Sequence, residues 1–259
     1  MTDPRIPRAI VPRRSLLAGM AAGMSAGVTL AAGGGALWAD QGGEAGEGAA
    51  IAELPEAVQF LSLLGLFEAQ HRIVAALHVA GDGAAAVEHL EGSHHAAYDD
   101  IAEGVAASGQ PDFRPATEAF AALVTAGAAP DAVAAAAESV SAAIDAVRAT
   151  TTAKDQMKAA EALLRVAASD MEAGVDDGQV TLAQEYRDSW GFALVALAWL
   201  EGLAADGNAE VATAATAALA GRDDVAAQYA GVDATQAPGD PAALLAAAAR
   251  VELAAFRLK

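Results

Sequence analysis

Residues 67–100 read FEAQHRIVAALHVAGDGAAAVEHLEGSHHAAYDD, and this stretch holds all five histidines of the 259-residue chain. The motif Glu-x-x-His occurs in it twice, first at Glu68 and His71 and then at Glu91 and His94. Residues three apart share one face of a helix, so each motif can direct a carboxylate and an imidazole toward one point. Two such motifs on facing helices supply half of the ligands of carboxylate-bridged iron or manganese sites in helical bundles. The stretch therefore predicts paired helices with a metal site between them.

Composition and chain breakers favour an all-α fold. Alanine dominates the sequence and aromatic residues make up only 5% of it, and alanine is the strongest helix former. Pro, Gly and capping residues divide the chain into about eight helical segments: 55–81, 84–107, 115–125, 130–149, 153–174, 181–204, 208–220 and 241–258. Short loops imply antiparallel neighbours. We expect an Ala-rich, up-down helical bundle array, with two packed four-helix layers as one arrangement.

The N-terminus resembles a twin-arginine export signal. Arg13 and Arg14 precede an apolar, Gly- and Ala-rich run at residues 16–37, and such a signal places its arginine pair ahead of a mildly hydrophobic stretch. Small residues at Ala36 and Ala39 offer cleavage sites. This resemblance implies a periplasmic or otherwise extracytoplasmic protein.

Cleavage of that signal would divide the chain into three parts. We expect residues 1–39 to be the signal peptide, residues 40–53 a flexible acidic leader and residues 54–259 the helical bundle domain. The mature domain is then not inserted in a membrane. The alternative is an uncleaved anchor, because about twenty apolar residues can just span a bilayer.

The charge and the amino acid content limit the partners. The formal net charge is -19, which disfavours nucleic acids and anionic membranes and favours cations. The chain contains no cysteine, so carboxylate and imidazole are the only strong metal ligands that it offers. We therefore expect a metal ion as the ligand: iron or manganese suits the paired Glu-x-x-His motifs, and copper and zinc are the alternatives.

Helical geometry groups the candidate ligands. At 100° per residue, Glu68, His71 and His78 fall in one arc of about 80°. On the second segment, His94 and Tyr98 face the apolar stripe with Glu91 beside them and His95 at the edge. His89 points away from that stripe, and we expect it at the surface. The predicted ligand set is Glu68, His71, His78, Glu91, His94, His95 and Tyr98. The alternative is that these buried groups only pair with one another.

A later segment offers further carboxylates. Glu185 and Asp188 lie just ahead of the apolar run 190–203. One interpretation is an ordinary core helix with a polar first turn, and the other is that Glu185 or Asp188 adds a carboxylate to the histidine cluster.

Two short elements resemble the imelysin-like proteins, among them the EfeO-type periplasmic components of bacterial iron uptake. Gly92-Ser93-His94 is similar to the start of the family motif Gly-x-His-x-x-Glu, although Ala97 stands where that motif has Glu. Residues 185–192 are similar to the polar-aromatic element that opens a late helix in the family. The resemblance implies a periplasmic, helical, metal-handling protein that acts with a membrane transporter or another periplasmic protein.

Three function classes remain. The first, which we favour, is an exported metal-binding protein for uptake, delivery or sensing of iron or another divalent ion. The second is a ferritin-like di-metal oxidase, which needs further carboxylates from the set Glu138, Glu161, Glu172 and Glu185. The third is an exported helical scaffold without a metal. No hydrolase, nucleotide-binding or zinc-protease motif is present, so an enzymatic activity is not indicated.

Export should depend on the arginine pair. We expect the double change Arg13→Lys and Arg14→Lys to retain the protein in the cytoplasm, because the export machinery reads both guanidinium groups. Cell fractionation followed by immunoblotting measures this. Unchanged export of the double variant would contradict the twin-arginine interpretation.

Overall fold

The computed structural model describes residues 51–93 and 97–258, so the predicted signal peptide and most of the predicted leader lie outside the described residues. The first helices are α1 (Glu56–Val79), α2 (Gly83–Gly92), α3 (Asp99–Ala107), α4 (Arg114–Thr125) and α5 (Pro130–Arg148). They are followed by α6 (Ala153–Gly174), β1 (Val175–Asp176), β2 (Gln179–Val180), α7 (Ala183–Ala204), α8 (Ala209–Ala218), a 3-10 turn (Leu219–Gly221), α9 (Arg222–Ala226) and α10 (Pro241–Arg257). The predicted all-α class is confirmed.

Most helices begin where the sequence places a proline or a capping residue. Pro130 and Pro241 are the first residues of α5 and α10, where the missing N–H costs no helical hydrogen bond. The side chains of Thr152 and Asp240 accept hydrogen bonds from backbone N–H groups in the first turns of α6 and α10. These caps satisfy donors that a helix start otherwise leaves unpaired.

Four helices close into a bundle in the C-terminal half. Helix α6 packs against α7 and α10, and α8 packs against the same two helices from the other side. Helix α1 lies on α6 and α7, and helices α2 to α5 all contact α1. Among the described residues, α1 therefore lies between the C-terminal bundle of four helices and the group of helices α2 to α5.

Helix α1 is mostly apolar, and its buried residues lie on nearly all of its sides. Within the described residues it is the one helix long and apolar enough to cross a membrane, judged by length and composition alone, and 83% of that window is buried inside the protein. A helix that is apolar on all sides is either a membrane span or a buried core helix. In this structure α1 is a buried core helix.

The predicted helix at residues 84–107 is wrong. Helix α2 ends at Gly92, Ser93 adopts an extended conformation, and α3 begins only at Asp99. Glycine is a poor helix former, and the break falls at the Gly92-Ser93 pair. Because α2 and α3 are separate helices, the angular positions of Ile101 and Val105 give no information about which side of α2 faces the core.

Two glycines allow α1 to approach the C-terminal bundle closely. A Cβ atom added to Gly65 on α1 would lie 2.6 Å from Leu163 Cδ1 on α6. A Cβ atom added to Gly191 on α7 would lie 2.5 Å from Ile73 Cδ1 on α1. Both distances are shorter than carbon atoms tolerate without a shift, so the spacing of the three helices depends on these glycines.

Gly191→Val should destabilise the protein by about 1–3 kcal/mol, because the added side chain overpacks the contact between α1 and α7. Gly207→Val is the matched control, since no atom lies within 4 Å of a Cβ at that position. Urea unfolding followed by circular dichroism measures both. Equal midpoints for the two variants would contradict the close-packing argument.

Candidate metal centre

The carboxylate of Glu68 is held by protein donors. Its side chain is 1% exposed. Oε1 accepts hydrogen bonds from Nε and Nη2 of Arg72 at 2.8 and 2.6 Å, and Oε2 accepts one from Nε1 of Trp199 at 2.8 Å. The Arg148 guanidinium stacks 4.3 Å from the Trp199 ring centre. Glu68 therefore joins α1 to α7 as part of a buried ion-pair and hydrogen-bond network.

His71 lies in a different environment from Glu68. Its Nδ1–H donates to the Phe67 carbonyl oxygen at 2.9 Å, and its ring packs 4.4 Å from Phe67 and 5.1 Å from Phe120, centre to centre. Burial lowers the pKa of His71 to about 4, against the partly opposing effects of this hydrogen bond and the Glu68 charge. The ring is therefore neutral near pH 7, with its lone pair on Nε2.

His78 and Tyr98 have protein partners as well. His78 Nε2–H donates to the Ala128 carbonyl oxygen at 2.7 Å. The Tyr98 hydroxyl donates to Asp112 Oδ1 at 2.6 Å and accepts a bond from the Phe113 N–H at 3.2 Å. Burial raises the pKa of Tyr98 to about 12, so the hydroxyl keeps its proton at neutral pH. Both side chains connect helices to loops in this structure.

The second Glu-x-x-His motif does not lie on one helix. Glu91 is exposed in the last turn of α2, and the helix ends one residue later. His94 and His95 lie outside the described residues. The predicted helical presentation of Glu91 and His94 is therefore wrong, while their role as ligands stays a prediction.

His89 is buried, and its predicted surface position is wrong. It is 4% exposed, and it shares the inward side of α2 with Ala85 and Ala86. The prediction failed because it took residues 84–107 as one continuous helix and set the phase of α2 from residues that belong to α3.

Three helices bring His89, Asp188 and Gln70 together. Asp188 on α7 is 7% exposed, and its Oδ1 accepts a hydrogen bond from Gln70 Nε2 on α1 at 2.7 Å. His89 Nε2 on α2 lies 3.5 Å from the same oxygen. Within the described part of the chain, Gln70 Oε1 and His89 Nε2 have no hydrogen-bond partner. We call these three residues the His89–Asp188–Gln70 cluster.

Arg187 follows Glu185 and Tyr186 on α7 and directly precedes Asp188 in the chain. Burial lowers the pKa of its guanidinium, and the charges of Glu88, Asp233, Asp82 and Asp188 oppose this effect, in that order of strength. Several carboxylates therefore lie near Arg187.

The donor set of the cluster suits a first-row divalent ion. Imidazole nitrogen and carboxylate oxygen bind such ions at about 2.0–2.2 Å, so two neighbouring ligands lie about 3–3.5 Å apart. The separation of 3.5 Å between His89 Nε2 and Asp188 Oδ1 agrees with this. Gln70 could add an amide oxygen after rotation of its amide group, whose two ends are assigned from hydrogen bonding.

The cluster contains only two strong metal ligands, the His89 imidazole and the Asp188 carboxylate. Among residues 51–93 and 97–258, no group of three or more His, Asp or Glu residues could hold a metal ion. Of the carboxylates considered for a di-metal oxidase, Glu138 and Glu172 are exposed, Glu185 is half-buried and Glu161 pairs with Arg165. The described residues therefore assemble no di-metal ligand set.

Sequence reasoning points to Asp188 as one of two candidate carboxylates, and nothing in it selects Gln70. In the structure Asp188 lies beside His89 rather than beside the predicted ligands. Gln70 points away from the arc of Glu68 and His71 on α1. A polar amide in an otherwise apolar helix was the available sign that this opposite side is also buried.

Comparison with known families gives one match. Residues 148–255, which are 108 of the 259 residues, match the family model of an iron permease-associated 4-helix bundle domain. No curated protein and no solved structure matches the chain. The matched region contains α6 to α10, and so the bundle and Asp188, whereas Gln70 and His89 precede it. The match supports a connection with iron uptake at the level of a domain; the resemblance to imelysin-like proteins stays a prediction.

Acidification should destabilise the protein through His71. Its pKa is about 4 in the folded protein against an ordinary 6.5. As the pH falls from 6.5 to 4, the His71 imidazole takes up a proton in the unfolded chain but not in the folded protein. The free energy of unfolding therefore drops by about 3 kcal/mol over this range. His71→Phe keeps an aromatic ring beside Phe67 and Phe120 but cannot take up this proton. Urea unfolding should show a smaller loss of stability between pH 6.5 and 4 in the variant; equal losses would contradict the assignment.

Proposed function

We propose that this protein is an exported metal-binding protein of iron uptake, and that it binds an iron ion as cargo at the His89–Asp188–Gln70 cluster. The observation that carries the proposal is the buried pair of His89 and Asp188. This pair joins the histidine-bearing helix α2 to α7, which lies in the region that matches an iron permease-associated domain.

The burial of the pair supports a ligand role. An imidazole and a carboxylate at 4% and 7% exposure lose most of their hydration, and a contact of 3.5 Å is too long to replace it with a strong hydrogen bond. Gln70 Oε1 also has no hydrogen-bond partner in the described part of the chain, and rotation of the amide would present this oxygen to the ion. A bound cation would then be held by all three groups.

The small number of strong ligands suits cargo rather than a permanent cofactor. Nitrogen and oxygen donors suit iron(II) but also manganese and zinc, so selectivity comes from availability and geometry rather than from ligand type alone. An ion held by one imidazole and one carboxylate keeps positions open for water or for a ligand from a receiving protein. Such a site can pass the ion on.

The seven ligands predicted from sequence divide into residues with structural partners and residues that are still candidate ligands. Glu68, His71, His78 and Tyr98 hold helices and loops together through the partners described above. Glu91, His94 and His95 follow His89 closely in the chain, and they remain candidates to complete the coordination.

In this proposal the protein lies outside the cytoplasm and acts beside a membrane transporter. The predicted export signal supports the location, and the description of the matched domain as iron permease-associated supports the transporter. The protein would bind the ion after it enters the compartment and deliver it to the permease.

Metal binding should depend on His89 and Asp188. In anaerobic thermal unfolding with iron(II), we expect stabilisation of about 2.7 kcal/mol at one hundred times the dissociation constant, which corresponds to a rise of several degrees in the melting temperature. His89→Gln and Asp188→Asn should each lose most of this rise and most of the affinity measured by equilibrium dialysis. Manganese, zinc and calcium in the same series test the preference for iron.

His71→Phe is the matched control, because it removes another buried histidine from the same group of helices. It should bind iron(II) as the wild type does. If His71→Phe loses the ion and His89→Gln keeps it, the ligand set predicted from sequence is right and the proposed cluster is wrong. If iron(II) binds neither the wild type nor any variant, the proposed function itself is contradicted.

A further inference from the structure

A groove of about 660 Å³ runs along α6, far from the polar cluster in sequence and not used by the proposed function. One face of α6 forms its base, the end of α10 forms one wall, and residues 51–55 ahead of α1 form the other. Its α6 residues extend from Lys154 to Ser169, which is about 22 Å at 1.5 Å per residue. The groove is therefore elongated and has the dimensions of a site for a chain-like ligand.

The interior of the groove is apolar. Ile51, Leu54, Val166 and Ala255 line it, and all but Leu54 are buried. Phe256 stands at its rim and is 84% exposed. A large aromatic side chain that is left almost wholly in water beside an apolar groove marks a surface that a ligand can cover.

The positive charges of the groove are unusual for this acidic protein. Lys154 and Lys158 are the only lysines in the described part of the chain, and both line the groove one helical turn apart. The two acidic side chains of the groove, Glu161 and Glu252, are both bound to Arg165, at 2.8 and 3.0 Å. One guanidinium thus pairs with both carboxylates, and the five charged side chains that line the groove leave a net charge of +1.

The lysines lie at one end of the groove. Lys154 Nζ donates to the Leu258 carbonyl oxygen at 2.6 Å, and Lys158 makes no ion pair with any described residue. Both belong to the first two turns of α6, where the helix dipole adds partial positive charge. An anionic group placed there gains from two ammonium groups and the helix N-terminus.

We infer that this groove binds an amphipathic anion with one acidic head, its apolar chain lying along α6 and its carboxylate or phosphate at Lys154 and Lys158. The apolar length and the cationic end select this class together, because an uncharged chain leaves the lysines unused and a small anion leaves the apolar surface in water. The ligand is a free acid from solution, because the net charge of -19 disfavours an anionic membrane. The inference does not depend on metal binding.

Titration calorimetry with laurate and with dodecanol tests the charge. The two probes share one chain length and differ in the head group, so laurate should bind at least about tenfold more tightly if an ammonium group pairs with the carboxylate. Added salt should weaken laurate binding and leave dodecanol binding nearly unchanged. Equal binding of the two probes, or no binding of laurate, overturns the inference.

Two pairs of variants locate the site. Lys158→Gln should weaken laurate binding about tenfold. Its control, Arg222→Gln, removes a cation that pairs with Glu201 outside the groove, and it should have no effect. Phe256→Ser should weaken binding, whereas Leu245→Ser removes another exposed apolar side chain of α10 outside the groove and should not. Equal effects within either pair would mean non-specific association and overturn the assignment.

Vesicle flotation tests the source of the ligand. The wild type should bind laurate in solution and should float with vesicles of neither phosphatidylglycerol nor phosphatidylcholine. Flotation of the wild type with phosphatidylglycerol that is lost in Lys158→Gln would show that the ligand is a membrane lipid and overturn the assignment to a free acid.

Discussion

Helix α1 is enclosed by protein around nearly its whole circumference, and the other helices are arranged by this constraint. Each polar side chain on α1 needs a partner from a neighbouring element, because a buried donor or acceptor without one costs about 1–3 kcal/mol. Glu68 finds Trp199, and Gln70 finds Asp188, both on α7. Apolar packing alone tolerates sliding, whereas these hydrogen bonds have a fixed direction and length. They therefore define how α1 lies along α7.

Small side chains make the enclosure possible. Gly65 and Gly191 allow side chains of α6 and α1 to occupy space that a Cβ atom would need, and many of the buried residues are alanines. Close helix approach leaves little freedom for the polar groups between them. The position of Asp188 relative to His89 is consequently set by the packing of three helices rather than by any one segment. This is why a pair of buried side chains can serve as a defined site.

The cluster joins two parts of the chain with different relationships to known proteins. Asp188 belongs to the bundle that matches the iron permease-associated domain, and Gln70 and His89 come from helices that precede the matched region. The matched region of this chain carries the carboxylate of the cluster without the imidazole. The N-terminal helices supply the imidazole and the amide. The charged groove on α6 lies within the matched bundle and draws only its outer wall from residues 51–55.

The amino acid sequence by itself determined the all-α class and most helix starts, because alanine content, prolines at first turns and capping side chains act locally. It also located the segment that carries the histidines, and it marked Asp188 as a possible partner. The tertiary structure alone decided that His89, rather than His71, meets that carboxylate. Periodicity gives the angle of a side chain within one continuous helix, and here the helix ends at Gly92 and α1 has no solvent side. Which neighbour each face of α1 meets follows only from the packing of all the helices.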